Sequence, residues 1–350
     1  MEQEQQTPHK RRVRYKGKYP KKFEEKYKEL QPEKYQDTIE HVIKKGNTPA
    51  GMHISIMVQE ILEFLKIQPG EIGFDATLGY GGHTKAMLQC LDGNGHIYAT
   101  DVDPEESAKT KKRLLEQGYG EEILTIKLQN FCTIDEIAKE AGGFDFVLAD
   151  LGVSSMQIDN PERGFSFKVE GPLDLRLNQK EGISAAERLD TITKEELAGM
   201  LYENSDEPYS EELAKAITDE IRRGNRMDTT KKLRDVIEKT LMFLPEKERK
   251  DTVKKTCQRV FQALRIDVNN EFEVLYEFME KLPECIKPGG RAAILTFHSG
   301  EDRLVKKALK SGYKAGIYSD YAKDVIRPSA KECAQNGRAR STKMRWAIKK

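Results

Sequence analysis

The sequence has no apolar stretch long enough to cross a membrane and no closely spaced pair of cysteines. A transmembrane helix needs about 18 or more consecutive apolar residues, and the opening MEQEQQTPHKRR lacks the apolar core of a signal peptide. The five cysteines are scattered, with no C-x-x-C pair, which argues against a disulfide framework or a zinc site. We therefore expect a cytoplasmic protein with no membrane association and no catalytic metal.

An excess of charge of either sign is also missing, because 59 Lys and Arg balance 58 Asp and Glu to a net charge of +1. The two ends are nevertheless basic. Residues 9–28 carry a net charge of +8 and residues 323–350 a net charge of +7, which leaves −14 for the rest. Basic ends on an acidic body indicate a polyanionic partner such as RNA or DNA, with a merely solvated basic tail as the alternative.

Strand-like and helix-like segments alternate from about residue 50. Short apolar strands are predicted at 72–76, 95–103, 123–128 and 144–152, with helical patterns between them. This alternation is typical of a parallel sheet with helices on both faces. The predicted fold is therefore α/β, a Rossmann-like sheet with a helical insertion. The domain assignment is a basic extension at 1–50, the sheet domain at 51–156 and 265–350, and the helical insertion at 157–264.

A glycine-rich loop, GYGGH at residues 79–83, joins the first predicted strand to a helix. Bare backbone at a helix N-terminus suits an anion or a closely packed cofactor, although glycines can also serve only to make a tight turn. Asp101 ends the second strand 22 residues after Gly79, where a carboxylate accepts hydrogen bonds from ribose hydroxyls. Nicotinamide dinucleotides and S-adenosyl-L-methionine (AdoMet) both use this arrangement.

Three features favour AdoMet over a nicotinamide cofactor. Thr84 stands where the G-x-G-x-x-G pattern has its third glycine, and no Tyr-x-x-x-Lys pair occurs. The stretch IKPGGRAAILTF resembles the helix–turn–strand element of many AdoMet-dependent methyltransferases. We expect the aminoacyl carboxylate of AdoMet near Gly81 and Gly82, its ribose at Asp101 and its adenine against Phe131.

Longer stretches of the chain resemble the bacterial RsmH family, also called MraW, which methylates the exocyclic N4 of a cytidine in the decoding region of small-subunit rRNA. The matching stretches include ATLGYGGHT (76–84), DLGVSSMQID (150–159), ERGFSF (162–167), GPLDLRLN (171–178) and PGGRAAILTFHSGEDRLVK (288–306). The resemblance spans about residues 50 to 350. It implies AdoMet contacts at Gly81, Gly82, His83, Asp101, Phe131, Asp150 and Gln157. Gly300 replaces the leucine of the family's pattern, a change expected to loosen the start of the following helix.

The reaction needs help from the enzyme, because the lone pair of a cytosine amine is delocalised into the ring. Many amino-methyltransferases accept hydrogen bonds from the amine just after the fourth strand. We predict that the Asp150 carboxylate or the Leu151 carbonyl does so here, with Ser154 and Ser155 nearby as further catalytic candidates. We expect His83 to pack on the cofactor and not to act as a strong base.

Recognition of a base flipped out of its stack calls for an aromatic partner. Phe165 and Phe167 are candidates, with Arg163 for a phosphate, and a small core under the loop is the alternative for the two phenylalanines. Asp174 and Arg176 are predicted either to contact the cytosine or to form a structural ion pair. The basic stretch EKERKDTVKKTCQR (246–259) is either an RNA-gripping surface of the insertion or a solvated helix face.

The predicted partner is small-subunit rRNA, free or in the assembled small ribosomal subunit. Two alternatives stay open at this point: a methyltransferase with another target nucleotide, and an RNA-binding assembly factor that binds AdoMet without turnover. The sequence also leaves the oligomeric state open, with a homodimer as one option.

Overall fold

The computed structural model describes residues 55–350. The basic extension predicted for 1–50, and the first residues of the predicted sheet domain at 51–54, lie outside the described residues. The strands are β1 (Ile72–Asp75), β2 (His96–Asp101), β3 (Leu124–Leu128), β4 (Phe144–Asp150), β5 (Ile286–Thr296), β6 (Tyr318–Tyr321) and β7 (Lys343–Lys349). The α-helices are α1 (Val58–Leu65), α2 (Gly82–Leu91), α3 (Pro104–Glu116), α4 (Ile134–Ala141), α5 (Ser155–Asp159), α6 (Ala185–Thr191), α7 (Lys194–Ser205), α8 (Ser210–Arg222), α9 (Thr230–Thr240), α10 (Glu246–Asn269), α11 (Glu271–Cys285), α12 (Ser299–Lys314) and α13 (Ala330–Gln335).

The strands form one sheet in the order β3-β2-β1-β4-β5-β7-β6. Strands β1 to β5 are parallel, and β7 is antiparallel to both β5 and β6. The order reverses direction between β1 and β4, so a crevice is expected at the carboxyl ends of these two strands. This topology confirms the predicted Rossmann-like α/β fold.

Strand β4 shows that helices cover both faces of the sheet. Its residues are fully buried from Phe146 to Ala149. Val147 packs in one apolar cluster with residues of α4, α11 and α12, whereas Leu148 packs in another with residues of α1 and α2. A parallel strand that is buried on both faces has a nearly continuous apolar sequence, which is why this strand was predictable.

Between β4 and β5 the described chain forms α5 to α11 and no strand beyond an isolated bridge between Pro172 and Thr229. The helices of this segment share an apolar core of their own, in which Leu197, Leu213 and Val260 are fully buried. The helical pattern predicted for 157–264 is therefore present. Helix α10 continues past that boundary to Asn269, and contacts group the described chain in one compact unit, so the division into domains stays a prediction.

Two local expectations differ from the structure. The Pro-Gly-Gly turn before the fifth strand lies inside β5, where a bulge moves the register from Phe144 opposite Ile286 to Phe146 opposite Arg291. Strand β6 was not predicted, because its four residues YSDY form a short edge with a mostly exposed pattern. No helix in residues 55–350 is both long and apolar enough to cross a membrane.

Gly300 is the second residue of helix α12, and the loosening of the helix start expected from the sequence stays a prediction. Helix α12 begins at Ser299 and continues to Lys314. A Cβ atom at position 300 would lie 2.5 Å from the ring of Phe272, and that ring packs 5.8 Å from the ring of His298. Glycine therefore makes room for an aromatic side chain from α11.

Candidate active site

A cavity of about 500 Å³ opens at the carboxyl ends of β1, β2 and β4. Its volume is within the range of about 300–1,000 Å³ that is usual for small-molecule sites. The cavity brings together the predicted cofactor residues, which lie at the ends of these strands and of β3 or on the segments that follow them. The lining includes Gly81, Gly82, His83, Asp101, Phe131, Asp150 and Gln157, so all seven predicted positions contribute to its wall.

The glycine loop is tight because helix α3 and Ser55 press against it. Gly81 has a φ of +78° and directly precedes α2. A Cβ atom at Gly81 would lie 2.7 Å from Cγ2 of Thr110, and one at Gly82 would lie 2.1 Å from Oγ of Ser55. Both glycines are thus required by close packing and, for Gly81, by a left-handed backbone, in addition to any ligand that approaches them.

Asp101 holds the loop after β1 against the end of β2. One carboxylate oxygen accepts from the N–H of Gly79 at 2.9 Å, and the other accepts from the N–H of Asp103 at 2.8 Å. Burial raises the pKa of Asp101 to about 6, although these two hydrogen bonds oppose the shift. The spacing of 22 residues between Gly79 and Asp101 is therefore a direct contact in the fold.

Asp75 is a buried acid behind the cavity wall that the sequence alone did not single out. It ends β1, is fully buried, and accepts from the hydroxyl of Thr84 at 2.6 Å and from the N–H of Thr77 at 3.0 Å. Burial raises its pKa. Its contact with Thr84 explains why threonine stands where a dinucleotide-binding loop has glycine: the hydroxyl ties the first turn of α2 to β1.

His83 and Asp150 meet across the cavity wall. His83 Nε2 lies 3.3 Å from Oδ2 of Asp150, in ion-pair contact, and the N–H of Asp150 donates to the hydroxyl of Thr77 at 2.7 Å. Burial disfavours a charged imidazole, but the adjacent Asp150 carboxylate outweighs it and the pKa of His83 is raised. Oδ1 of Asp150 is buried with no hydrogen-bond partner among the described residues. The protein therefore leaves one oxygen of this cavity-lining carboxylate without a hydrogen-bond donor.

Phe131 stands just after β3, where its ring meets Phe278 edge-on with the centroids 5.2 Å apart. It is half-buried and contributes to the cavity wall. An exposed ring face fixed by a second aromatic ring suits the flat surface of an adenine.

The predicted catalytic serines and Gln157 belong to one local structure. Ser154 caps α5 by accepting from the N–H of Gln157 at 3.1 Å, and the Gln157 side chain accepts in return from the N–H of Ser154 at 2.9 Å. The Gln157 amide also donates to Asp103 at 3.0 Å. Ser154, Ser155 and Gln157 all line the cavity, but the side chains of Ser154 and Gln157 already stabilise the loop that follows β4.

Arg163 does not face the cavity, and its placement argues against a phosphate contact. Its side chain is buried and lies 2.6 Å from the carboxylate of Asp103, which caps α3. It also donates to the carbonyls of Arg176 at 3.1 Å and Leu177 at 2.7 Å. The guanidinium therefore ties the segment after β4 to the end of β2.

The two phenylalanines and the charged pair of the substrate prediction also lie outside the cavity wall. Phe165 is buried in the apolar core of the helical segment, and Phe167 packs edge-on against Phe261 with the centroids 5.8 Å apart. Asp174 and Arg176 form an ion pair with two contacts, at 2.8 and 2.9 Å. For these residues the placement supports the structural alternative, a small core and an ion pair.

Another part of the cavity wall comes from residues that the sequence did not single out. Gln258, Arg265 and Asn269 of α10 line the cavity together with Glu271 and Glu301. Arg265 donates to both carboxylate oxygens of Glu271, at 2.8 and 2.9 Å. The stretch FQALRIDVNNE (261–271) was the available signal, since an arginine and an asparagine interrupt its apolar pattern four residues apart.

Glu271, His298 and Glu301 form a second polar cluster at this wall. Their potential ligand atoms lie within 4.8 Å of one another, and His298 Nε2 lies 3.2 Å from Glu301. Burial disfavours the charge of Glu301, but His298 and Arg265 together hold its pKa below the usual value. Arg265 supplies a positive charge next to these carboxylates, a role that a metal ion would otherwise have. The expectation of no catalytic metal stays a prediction.

The sheet order and the site together define a Rossmann-like AdoMet-dependent methyltransferase: bare backbone after β1, an acid at the end of β2 and an acid at the end of β4 surround one cavity. The chain belongs to the MraW methylase family, whose model matches residues 50–350. This family is the one that the sequence stretches indicated.

Relatives of high identity extend over nearly the whole chain. "Ribosomal RNA small subunit methyltransferase H 1" of Agathobacter rectalis is 82% identical over 99% of both chains. The protein of the same name from Lachnoclostridium phytofermentans is 70% identical, over 99% of this chain and 94% of its own. "Ribosomal RNA small subunit methyltransferase H 2" of Alkaliphilus metalliredigens is 63% identical over 97% of both. A solved rRNA methylase from Streptococcus thermophilus is more distant, with 14% identity and a TM-score of 0.38 over 85% of this chain and 99% of its own.

Proposed function

We propose that this protein transfers the methyl group of AdoMet to the exocyclic N4 of a cytidine in the decoding region of small-subunit (16S) rRNA. The observation that carries the proposal is the carboxylate of Asp150 at the end of β4, which lines one cavity together with the predicted cofactor positions. The relatives named ribosomal RNA small subunit methyltransferase H support the substrate class.

The cavity residues fit AdoMet by their chemistry. Asp101 is an acid at the position where a ribose is expected, and Phe131 offers a flat wall for the adenine. The N-terminus of α2, where Gly82 begins the helix, suits a carboxylate, because its N–H groups have no partner within the helix. Bound AdoMet supplies an electrophilic methyl group on a sulfonium.

Asp150 is proposed to hold the target amine. A carboxylate oxygen that accepts an N–H of the cytosine amine draws the nitrogen toward tetrahedral geometry and aims its lone pair. Alignment of this kind can contribute about 7–11 kcal/mol to lowering a barrier. His83 limits rotation of the same carboxylate through its 3.3 Å contact with Oδ2. The methylated amine is acidic once it carries the positive charge, so loss of its proton needs no strong base.

Asp150 also has a competing role, because the family resemblance places it against the cofactor. The two roles predict different kinetics. If Asp150 acts on the amine, Asp150→Ala lowers kcat with AdoMet at saturation. If it only binds the cofactor, saturating AdoMet restores full turnover, and the assignment to the amine is wrong.

The proposed reaction is tested by transfer of labelled methyl from AdoMet to small ribosomal subunits that lack the modification and to the corresponding rRNA transcript. Digestion to nucleosides and mass spectrometry should then give N4-methylcytidine. Asp101→Ala should abolish the transfer, whereas Asp324→Ala should not, because Asp324 is an exposed acid that does not line the cavity. Label in a different nucleoside, or no label in either substrate despite AdoMet binding, would contradict the proposal. The two substrates also distinguish free rRNA from the assembled subunit.

A further inference from the structure

Helix α10 connects the cavity to the outer surface of the helical segment. It has 24 residues, which corresponds to about 36 Å at 1.5 Å per residue. Its C-terminal half supplies Gln258, Arg265 and Asn269 to the cavity wall. Its N-terminal half is the basic stretch for which the sequence left open an RNA-binding surface or a solvated face.

The lysines of the N-terminal half lie on the same face as the cavity residues. At about 100° per residue, Lys247, Lys254, Gln258, Arg265 and Asn269 fall within an arc of about 60°. Lys250 and Lys255 flank this arc on its two sides. One face of α10 is therefore lined first by lysines and then by the wall of the cavity. The distance along the axis from Lys247 to Gln258 is about 16 Å.

These lysines have no anionic partner within residues 55–350. Lys247, Lys250, Lys254 and Lys255 are all exposed, and none of them forms an ion pair with another described residue. Neighbouring α9 differs, because Lys231 pairs with Asp235 and Lys232 pairs with Asp228. Asp251 lies between the lysines on this face, and Glu248 lies about 20° beyond Lys255. The four lysines outnumber these two acids, so the face keeps a net positive charge.

An exposed aromatic residue precedes the N-terminus of α10. Phe243, in the turn before α10, is 65% exposed, and its ring is held edge-on against Tyr209 with the centroids 6.0 Å apart. Aromatic rings next to unpaired cations are typical of surfaces that bind single-stranded nucleic acid, where rings stack on bases and lysines contact phosphates. Met242 beside it is similarly exposed.

We propose that this face of α10 is a phosphate-binding track that guides a single-stranded segment of the substrate RNA from Phe243 to the cavity. The inference rests on the proposed function, since it assigns the RNA contacts of the same site. Continuity supports RNA over a protein partner: the unpaired lysines and the cavity wall share one helix face, so a strand bound to the lysines reaches the reacting base directly.

The test compares two triple variants of the full chain. The first, Lys247→Ala with Lys250→Ala and Lys254→Ala, removes three cations from the track. The matched control, Lys306→Ala with Lys307→Ala and Lys310→Ala, removes three exposed lysines that also lack ion pairs within the described part of the chain, on the side of α12 opposite Glu301. Surface substitutions of this kind are expected to retain the fold, which circular dichroism and AdoMet binding verify.

The readout is the salt dependence of binding to unmodified small ribosomal subunits and to the rRNA transcript. The slope of log K against log salt is negative, and each lost phosphate contact makes it shallower by about 0.7 for a single strand. The slope of the track variant should therefore be shallower by about 2. Its KM for RNA should be higher and its Kd for AdoMet unchanged. The control should keep the slope of the unmutated chain.

Three results would overturn the track: an unchanged slope in the track variant, an equal loss in the control, or an effect with subunits and none with the transcript, which would indicate a ribosomal protein partner. Failure to bind either probe in the unmutated chain would also overturn it. The proposed reaction fails in a different way, by giving no N4-methylcytidine even where the slope falls as expected.

Discussion

Arg163 is expected to stabilise the fold and to have no direct part in RNA binding. Its side chain is 6% exposed and neutralises Asp103, which is 2% exposed. Removal of one partner from a buried ion pair costs about 3–5 kcal/mol, because the other charge stays buried without compensation. Asp103 retains hydrogen bonds from Gln157 and from two backbone N–H groups of α3. We therefore expect Arg163→Ala to lower the free energy of unfolding by about 3 kcal/mol.

Urea unfolding followed by circular dichroism measures this loss. Arg226→Ala is the control, because its ion pair with Asp190 lies at the surface and should contribute less than about 1 kcal/mol. A double-mutant cycle with Asp103→Asn, a change that keeps a side-chain oxygen at the helix cap, should give a coupling energy of more than about 1 kcal/mol for residues in contact.

The pH dependence of this loss has a definite sign. Burial opposes the charge of Asp103, but Arg163 outweighs it and the pKa of Asp103 is lowered. The contribution of the pair is therefore present above the unfolded-state pKa of about 3.9, and it is lost as the pH falls through the lower folded-state value. A loss below about 1 kcal/mol at neutral pH, or weaker RNA binding at unchanged stability, would refute this reasoning and restore Arg163 as a phosphate ligand.

Three further outcomes are expected. Gly81→Ala should weaken AdoMet binding at least about tenfold by calorimetry, since left-handed backbone costs about 1–2 kcal/mol and the new Cβ meets Thr110; Gly93→Ala, with a similar φ but open space, should not. AdoMet affinity should fall as the pH drops through about 6, where Asp101 is protonated, and Asp101→Asn should remove this dependence; equal pH profiles would contradict it. Phe165→Ala should cost about 3–5 kcal/mol of stability, and an unchanged urea midpoint would place the ring outside the core.

The sheet and the cofactor half of the site were predictable because their signals are local. Apolar runs of four to seven residues mark the buried strands, and an acid or a glycine loop at the end of a strand lies at the sheet edge where ligands bind. Gly81, Asp101 and Asp150 follow from these positions alone, and the structure brings all three to one cavity. Strand β6 was missed because a short, exposed edge strand has no such apolar run.

The substrate half of the site could not be predicted in this way. Arg163 and Phe165 lie two residues apart and within seven residues of Ile158 in the cavity wall. Arg163 nevertheless pairs with Asp103, 60 residues earlier, and Phe165 enters the core of the helical segment. Arg265, by contrast, reaches the cavity from a helix that was assigned mainly to the insertion. Whether a charged or aromatic side chain is buried depends on partners distant in the chain.

The sequence by itself determined the fold class, the cofactor loop and the acids at the ends of β2 and β4, because backbone periodicity and strand ends are encoded within a few residues. Only the tertiary structure decided which side chains stabilise the site and which line it. Ion pairs such as Arg163 with Asp103, and a single helix face that carries both lysines and cavity wall, arise from the packing of segments that the sequence keeps far apart.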